Sequence, residues 1–323
     1  MTALSRRSLL AGAAALTVTS SVNAPARAAA PMAAKQGPSF YRYKIGEFEV
    51  TTLNEGVARN ATPANMALNK TLPDIQKALG DAFLPTDHVI GQFNVVVVNT
   101  GRNLVLIDTG FGDNGSPTTG NLLNNMTAAG IDPKTVDTIL ISHFHSDHIN
   151  GVRAKAGSLN FPNAEIMVPA TDLKFFLDAG EESKAPQPFK GFFAASKRVF
   201  EPIAKDVKQF EYGKELVPGI TAVDARGHSP GHAAFLVTSG NGKLLVSCDT
   251  VNHQILVRNP DWALWADMDP ATAAASRKRL LDMAAADKIQ IAAYHLPFPS
   301  TGFISKHGDG YEFHPVYWQP VLL

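Results

Sequence analysis

Residues 143–148 read His143-Phe144-His145-Ser146-Asp147-His148, and this run limits the chain more than any other feature. Four side chains able to ligate a metal fall within six residues, directly after the apolar run Thr138 to Ser142. Crowding imidazoles and a carboxylate together is costly unless they bind something. Imidazole suits zinc, iron, cobalt or manganese, and a carboxylate adds charge neutralisation. In extended backbone, residues two apart point the same way. His143 and His145 can therefore grip one ion, while Asp147 and His148 follow in a turn and can reach a second ion beside it.

Three further sites repeat the pattern. Gly227-His228-Ser229-Pro230-Gly231-His232 is a second histidine cluster, Asp249 follows the apolar run Leu244 to Ser247, and His295 follows Ile289 to Ala293. Each lies at the C-terminal end of a predicted strand or in the loop after one, where sites of layered α/β proteins form.

The rest of the chain reads as alternating strands and helices. Tyr43 to Leu53 is an edge-like strand with a turn at Gly46. Asn94 to Asn99 is a buried strand that pairs, through Thr100-Gly101, with Leu104 to Asp108. Residues 54–92 show no clean strand, and Leu72 to Ala82 reads as a short helix. Asn121 to Ala129 reads as a helix closed by Gly130. Ala164 to Val168, Ile220 to Val223 and Ala234 to Thr238 read as strands, the last joined to the Leu244 to Ser247 strand by Gly240-Asn241-Gly242. Pro270 to Ala286 is a helix with Asp269 as N-cap and Pro270 at its first position. This pattern implies an α/β protein with sheets inside and helices outside.

Charge and cysteine content narrow the partners. Lys plus Arg and Asp plus Glu are both 29, so no overall basic field exists to draw nucleic acid. The single cysteine, Cys248, excludes an intrachain disulfide framework and a cysteine-rich zinc site. Residues 1–28 read as an exported precursor's signal: Arg6-Arg7, a mild apolar run from Leu9 to about Val22, and Ala26-Arg27-Ala28 as a cleavage site. The paired arginines resemble a twin-arginine signal, which points to a periplasmic or secreted protein. Residues 29–40 read as a linker and 41–323 as one catalytic domain. Nothing is long and apolar enough for membrane insertion.

His143-x-His145-x-Asp147-His148, then His228, Asp249 and His295, with Asp108-Thr109-Gly110 upstream, resembles the metallo-β-lactamase superfamily. The resemblance implies an αββα sandwich, two mixed β-sheets flanked by helices, with two divalent metal ions in the cleft. Zinc is the default, and manganese, iron or cobalt could use the same ligands. The resemblance assigns His143, His145 and His228 to one metal, Asp147, His148 and His295 to the other, and Asp249 to both. Asp108 then orients ligands and His232 braces its loop.

Within the superfamily, the signal, the His228-to-Asp249 step and the His295-Leu296-Pro297-Phe298 ending look closest to the secreted methyl parathion hydrolase and lactonase group. That likeness implies a hydrolase acting on a small-molecule lactone or carboxylic ester, with Asp147 or Asp249 taking up the proton. Organophosphate triesterase activity is the alternative, with β-lactamase or persulfide dioxygenase activity behind it. A homodimer is also implied. One departure stands out: many acyl-homoserine lactonases have a tyrosine three residues after the bridging aspartate, and here that position is Asn252. Phe93, Phe192, Phe193, Trp262, Trp265 and Phe298 are candidate pocket walls for an uncharged, partly apolar substrate. Cys248 reads as a small core residue, Asp267 and Asp269 as helix caps, and His88, His307 and His314 as surface residues. His253 is left open by its nearness to the site in sequence.

Overall fold

Position along the chain decides which of two sheets a strand joins. The computed structural model describes residues 30–322 apart from 31, 35, 62, 63 and 65, so the signal at 1–28 lies outside the described residues. The elements below belong to one unit, Pro38–Leu323. The first sheet takes β1 (Phe40–Ile45), β2 (Phe48–Ala61), β3 (His88–Asn99), β4 (Leu104–Ile107), β5 (Thr138–Leu140), β6 (Glu165–Pro169) and β7 (Lys208–Phe210), in chain order. The second takes β8 (Glu215–Val217), β9 (Ile220–Asp224), β10 (Ala233–Ser239), β11 (Gly242–Cys248), β12 (Gln290–Ala293), β13 (Thr301–His307) and β14 (Gly310–Pro315), also in chain order.

Pairing is antiparallel from β1 to β4 and parallel from β4 to β7. In the second sheet only β11–β12 is parallel. Parallel neighbours need crossovers, and these carry the helices other than the first, which sits between two antiparallel strands. α1 (Leu72–Asp81) lies between β2 and β3, and α2 (Leu122–Ala128) joins β4 to β5. α3 (Ser146–Ile149) follows β5. α4 (Ala170–Phe176), α5 (Ala179–Lys184) and α6 (Lys190–Phe200) fill the β6–β7 crossover. α7 (Gln254–Arg258) and α8 (Pro270–Ala286) fill the β11–β12 crossover. None of the described helices is long and apolar enough to cross a membrane.

The strand Val95-Val96-Val97-Val98 shows why the sheets are sandwiched. Its residues are all buried, and they alternate between two cores. Val96 and Val98 pack between the sheets with Val105, Ile107, Phe235, Val237 and Val246. Val95 and Val97 pack under the helices with Leu106, Met126, Ile139 and Phe144. Only a strand covered on both faces can be apolar at every position. α8 covers the far side of the second sheet through Leu280, Leu281 and Ala284.

Two expectations need correcting. Residues 54–92 contain a strand after all, because β2 continues to Ala61 and β3 begins at His88. The register of β2 against β3 shifts between Asn54 and Gly56, so the alternation that would reveal the strand is broken there. The three helices within residues 170–200 and the strands β7, β8, β13 and β14 also went unread, each being short or carrying mixed polarity. Beyond the shift, the β2–β3 arm, α1 and residues 253–268 build a separate small core of Met66, Ile75, Leu79, Leu256, Trp262 and Leu264.

Candidate metal centre

β5 ends at Leu140, and the chain stays extended through His145, which sits at the N-cap of α3. The first turn of α3 then presents Asp147 and His148. His228 comes from the β9–β10 loop, Asp249 follows β11, and His295 follows β12. Seven side chains from distant parts of the sequence thus meet at one end of the sandwich. They form two groups: His143, His145, His228 and Asp249, and Asp147, His148 and His295, with ligating atoms within 4.8 Å of one another in each group.

Asp249 stands between the groups. Its Oδ2 lies 3.0 Å from His228 Nε2 and 3.1 Å from His295 Nε2, and its Oδ1 lies 3.1 Å from His148 Nε2. Asp147 Oδ2 is 3.4 Å from His148 Nε2 and 3.5 Å from His295 Nε2. Yet the Nε2 atoms of His143, His145, His148 and His228, and Asp249 Oδ1, are buried without a hydrogen-bond partner. They converge without bonding one another. Unpaired buried polar atoms are costly, and converging imidazole and carboxylate lone pairs are the donor set a divalent cation satisfies. The residues fit a metal.

The outer ring nitrogens explain why Nε2 faces inward. His143 Nδ1 meets Ser142 Oγ at 2.9 Å, and Ser142 Oγ donates to Asp108 Oδ2 at 2.8 Å. His148 Nδ1 also meets Asp108 Oδ2 at 2.8 Å. His228 Nδ1 meets Asp267 Oδ1 and His295 Nδ1 meets the Gln92 carbonyl, both at 2.8 Å. A partner on Nδ1 fixes tautomer and ring orientation. Asp108 therefore stands behind His148 and, through Ser142, behind His143.

His232 has both nitrogens engaged: Nδ1 donates to the Ala225 carbonyl, and Nε2 accepts from the Asp249 backbone N–H. Burial depresses its pKa to about 3, so it stays neutral. It holds the Asp249 backbone. Burial, then the neighbouring histidines, holds His143 and His145 well below the usual imidazole range. Burial opposes the charge on Asp249, but His148, His295 and His228 outweigh it and keep this carboxyl well below the usual range.

Three supports carried no clear signal in the sequence. Asp172, fully buried in α4, accepts from Phe144 N at 3.0 Å, Ser229 Oγ at 2.7 Å and Gly231 N at 2.5 Å. One carboxyl thus fixes the spacing of the loop holding His143 and His145 against the loop holding His228. A Cβ on Gly231 would lie 2.6 Å from Asp172 N, so only glycine fits. Arg277, buried in α8, donates to Asp267 Oδ2 at 3.1 Å and to the carbonyls of Thr250, Pro260 and Trp262. Tyr294 lays its ring 4.0 Å from His148 and donates to the Asp147 carbonyl at 2.6 Å.

The aromatic candidates separate. Phe192 stacks on His145 at 3.9 Å, and Phe93 meets His295 edge-on at 5.4 Å. Phe298 is half-buried, its N–H donating to Gln92 Oε1. Trp265 is exposed at 38%. Trp262 is a correction: it packs in the small core beside Met66 and Leu256 instead of facing open space. Phe193 is likewise buried, against Phe175 and Phe176. Asp269 caps α8. Asp267 instead joins His228 to Arg277, a second correction, since its place before the helix suggested a cap. His253 caps α7, its side chain accepting from Ile255 N. Asn252 Nδ2 donates to Asp249 Oδ2 at 2.8 Å. Cys248 is buried between the sheets at φ 46°.

The sequence profile described as the metallo-beta-lactamase superfamily matches residues 89–289. The chain belongs to the metallo-β-lactamase superfamily. Among curated relatives, an N-acyl homoserine lactonase, AiiA, of Bacillus thuringiensis subsp. kurstaki is 26% identical over 213 residues, covering 59% of this chain and 76% of the relative. A probable metallo-hydrolase of Mycobacterium tuberculosis, Rv2300c, is 28% identical over 183 residues, covering 50% of this chain and 57% of the relative. Among solved structures, AidC, a dizinc quorum-quenching lactonase in complex with a product, N-hexanoyl-L-homoserine, superposes with TM-score 0.82 at 29% identity, covering 87% of this chain and 98% of that one. The hydrolase AbOPH gives TM-score 0.82 at 27% identity, covering 88% of this chain and all of the other. This metallo-β-lactamase-fold protein is a metal-dependent hydrolase.

Proposed function

We propose that the protein is a two-metal lactonase. His143, His145 and His228 would hold one ion, Asp147, His148 and His295 would hold the second, and Asp249, standing between the groups, would serve both. The observation that carries this reading is the convergence of unpartnered Nε2 atoms on both sides of a single buried carboxylate. Two bound divalent ions, zinc by default, supply the Lewis acidity that polarises a carbonyl oxygen and lowers the pKa of water toward neutrality.

The chain does the rest. The buried rings are pre-oriented by Ser142, Asp108, Asp267 and Gln92, so no reorganisation is needed on turnover. Asp147, whose side chain is 16% exposed at the mouth, is the group placed to take up a proton. Phe192 and Phe93 flank ligands on opposite sides and exclude water from the rings they touch. The lactone class is supported by the lactonases among the relatives and solved structures.

The test is a panel of a γ-lactone, an N-acyl homoserine lactone, an aryl acetate and methyl paraoxon, with metal content measured on the same sample. Lactones are expected to lead in kcat/KM by more than about 100-fold, or about 2.7 kcal/mol of transition-state preference. A lead for methyl paraoxon would make the protein a phosphotriesterase first. Two bound metals with no turnover would overturn the hydrolytic reading of the site.

A further inference from the structure

Glu55 is fully buried, and no cation pairs with it among the described residues. It sits where β2 shifts register against β3, so its side chain leaves the sheet. One oxygen, Oε1, accepts from three backbone N–H groups of a single loop: Phe111 at 3.1 Å, Gly112 at 3.2 Å and Gly120 at 2.7 Å. The other, Oε2, is buried with no partner. The loop is shaped for this. Asp108, Gly110 and Gly112 have φ of 62°, 73° and 55°, which turns successive N–H groups toward one point, a backbone anion nest. A Cβ on Gly110 would lie 2.3 Å from Glu55 Cγ, so the loop closes on this carboxyl with no space to spare.

The same loop touches the metal-holding turn. Thr109 N and Thr109 Oγ1 both donate to the His148 carbonyl at 2.8 Å, and the Gly110 carbonyl accepts from Gly151 N at 2.8 Å. Glu55, nest and α3 form one continuous chain of bonds. Behind the loop lies a cavity of about 520 Å³ that reaches Gly112 and Gly120, two of the three donors.

We propose that Glu55 is a positioning residue for the second metal: its carboxyl fills the nest of the Asp108–Gly120 loop and thereby sets where Asp147 and His148 stand. This rests on the two-metal reading above. Burial drives the Glu55 pKa up to about 8, against the pull of the three amides. The group acts through its acceptor oxygen, and glutamine should replace it.

The experiment titrates metal into stripped wild type, Glu55→Ala and Glu55→Gln, using competition with a chromogenic chelator. Glu55→Met, which fills the space without an oxygen acceptor, is the second acceptor-free variant. Glu55→Ala and Glu55→Met should weaken one of the two ions by about 10- to 100-fold and leave the other unchanged. Glu55→Gln should bind both within about threefold of wild type. Hydrogen exchange of the His148 and Gly151 amides in metal-free protein should quicken in the acceptor-free variants, and added formate should slow it again in Glu55→Ala by refilling the nest. Acceptor-free variants that load both ions like wild type overturn the proposal. So does equal weakening of both ions, no response to formate, or failure of both acceptor-free variants to fold, since the carboxyl would then serve the whole domain. Wild type that takes up a single ion sinks the two-metal reading instead, and amide exchange still decides the role of Glu55.

Discussion

The two halves of the metal centre are built on different principles. The His143–His145–His228 half is all imidazole and dry, and its deepest support is an ion pair, Arg277 to Asp267, which holds His228. The Asp147–His148–His295 half includes a carboxylate, opens to solvent at Asp147 and His295, and is tied to the Asp108–Gly120 loop, where Asp108 meets His148 and Glu55 accepts three backbone amides. Charge compensation deep in α8 stands behind the first half and the amide nest around Glu55 behind the second, while Asp108 braces both, directly at His148 and through Ser142 at His143. The comparison shows how one site combines an enclosed anchor with a mouth open to solvent.

Removing what the halves share should have the largest effect. Asp249→Asn is expected to lower kcat/KM by about 10,000-fold, roughly 5.5 kcal/mol, with both ions weakened in the metal titration. Loss of one ion alone would show that the halves are independent.

A change of pH should separate the halves without touching a ligand. Folded Glu55 holds its proton up to about pH 8, against an ordinary value of 4.5. Its contribution to stability is complete below pH 4.5 and is lost as pH rises through 8. Chemical denaturation of wild type against Glu55→Gln should agree at pH 5 and diverge by pH 8.5. The wild type should become the less stable, by at most roughly 5 kcal/mol. A flat difference across that window would mean that Glu55 is ionised throughout.

The ion pair should break differently. Arg277→Met leaves Asp267 buried and uncompensated, and about 3–5 kcal/mol of stability should be lost. Metal affinity should fall at the His228 half. Asp172→Asn is a smaller version of the same test. It turns an amide donor toward groups that are themselves donors, and should cost the His228 half about tenfold in metal affinity while the other half is unchanged. The smallest effects separate the aromatics. Phe192→Leu should shift KM several-fold, whereas Trp262→Phe should lower the melting temperature a few degrees and leave KM alone.

Much of this centre was legible because metal ligands cluster by residue type. His143 to His148 declare themselves by density, and His228, Asp249 and His295 by following apolar strands. The helix 270–286 was legible from its cap, and the valine run from its length. What stayed hidden is what acts at a distance. Asp172 and Glu55 are single polar residues whose partners lie 28 or more positions away, Arg277 gathers groups 10 to 27 positions away, and no local pattern reports either. The β2 strand was hidden for a related reason: the register shift that buries Glu55 also interrupts the alternation.

The chain-order layout of the sheets has one more consequence. The strands through Phe210 lie in one sheet, those from Glu215 in the other, and the connecting turn, residues 211–214, is largely exposed. The first segment brings His143, His145, Asp147 and His148, and the second brings His228, Asp249 and His295. Neither holds all the members of either ligand group. The centre is therefore stitched across a seam, and turnover would report that the two sides have met. A cut in that turn would make a split enzyme whose signal is its own reassembly, with the metals as the thread.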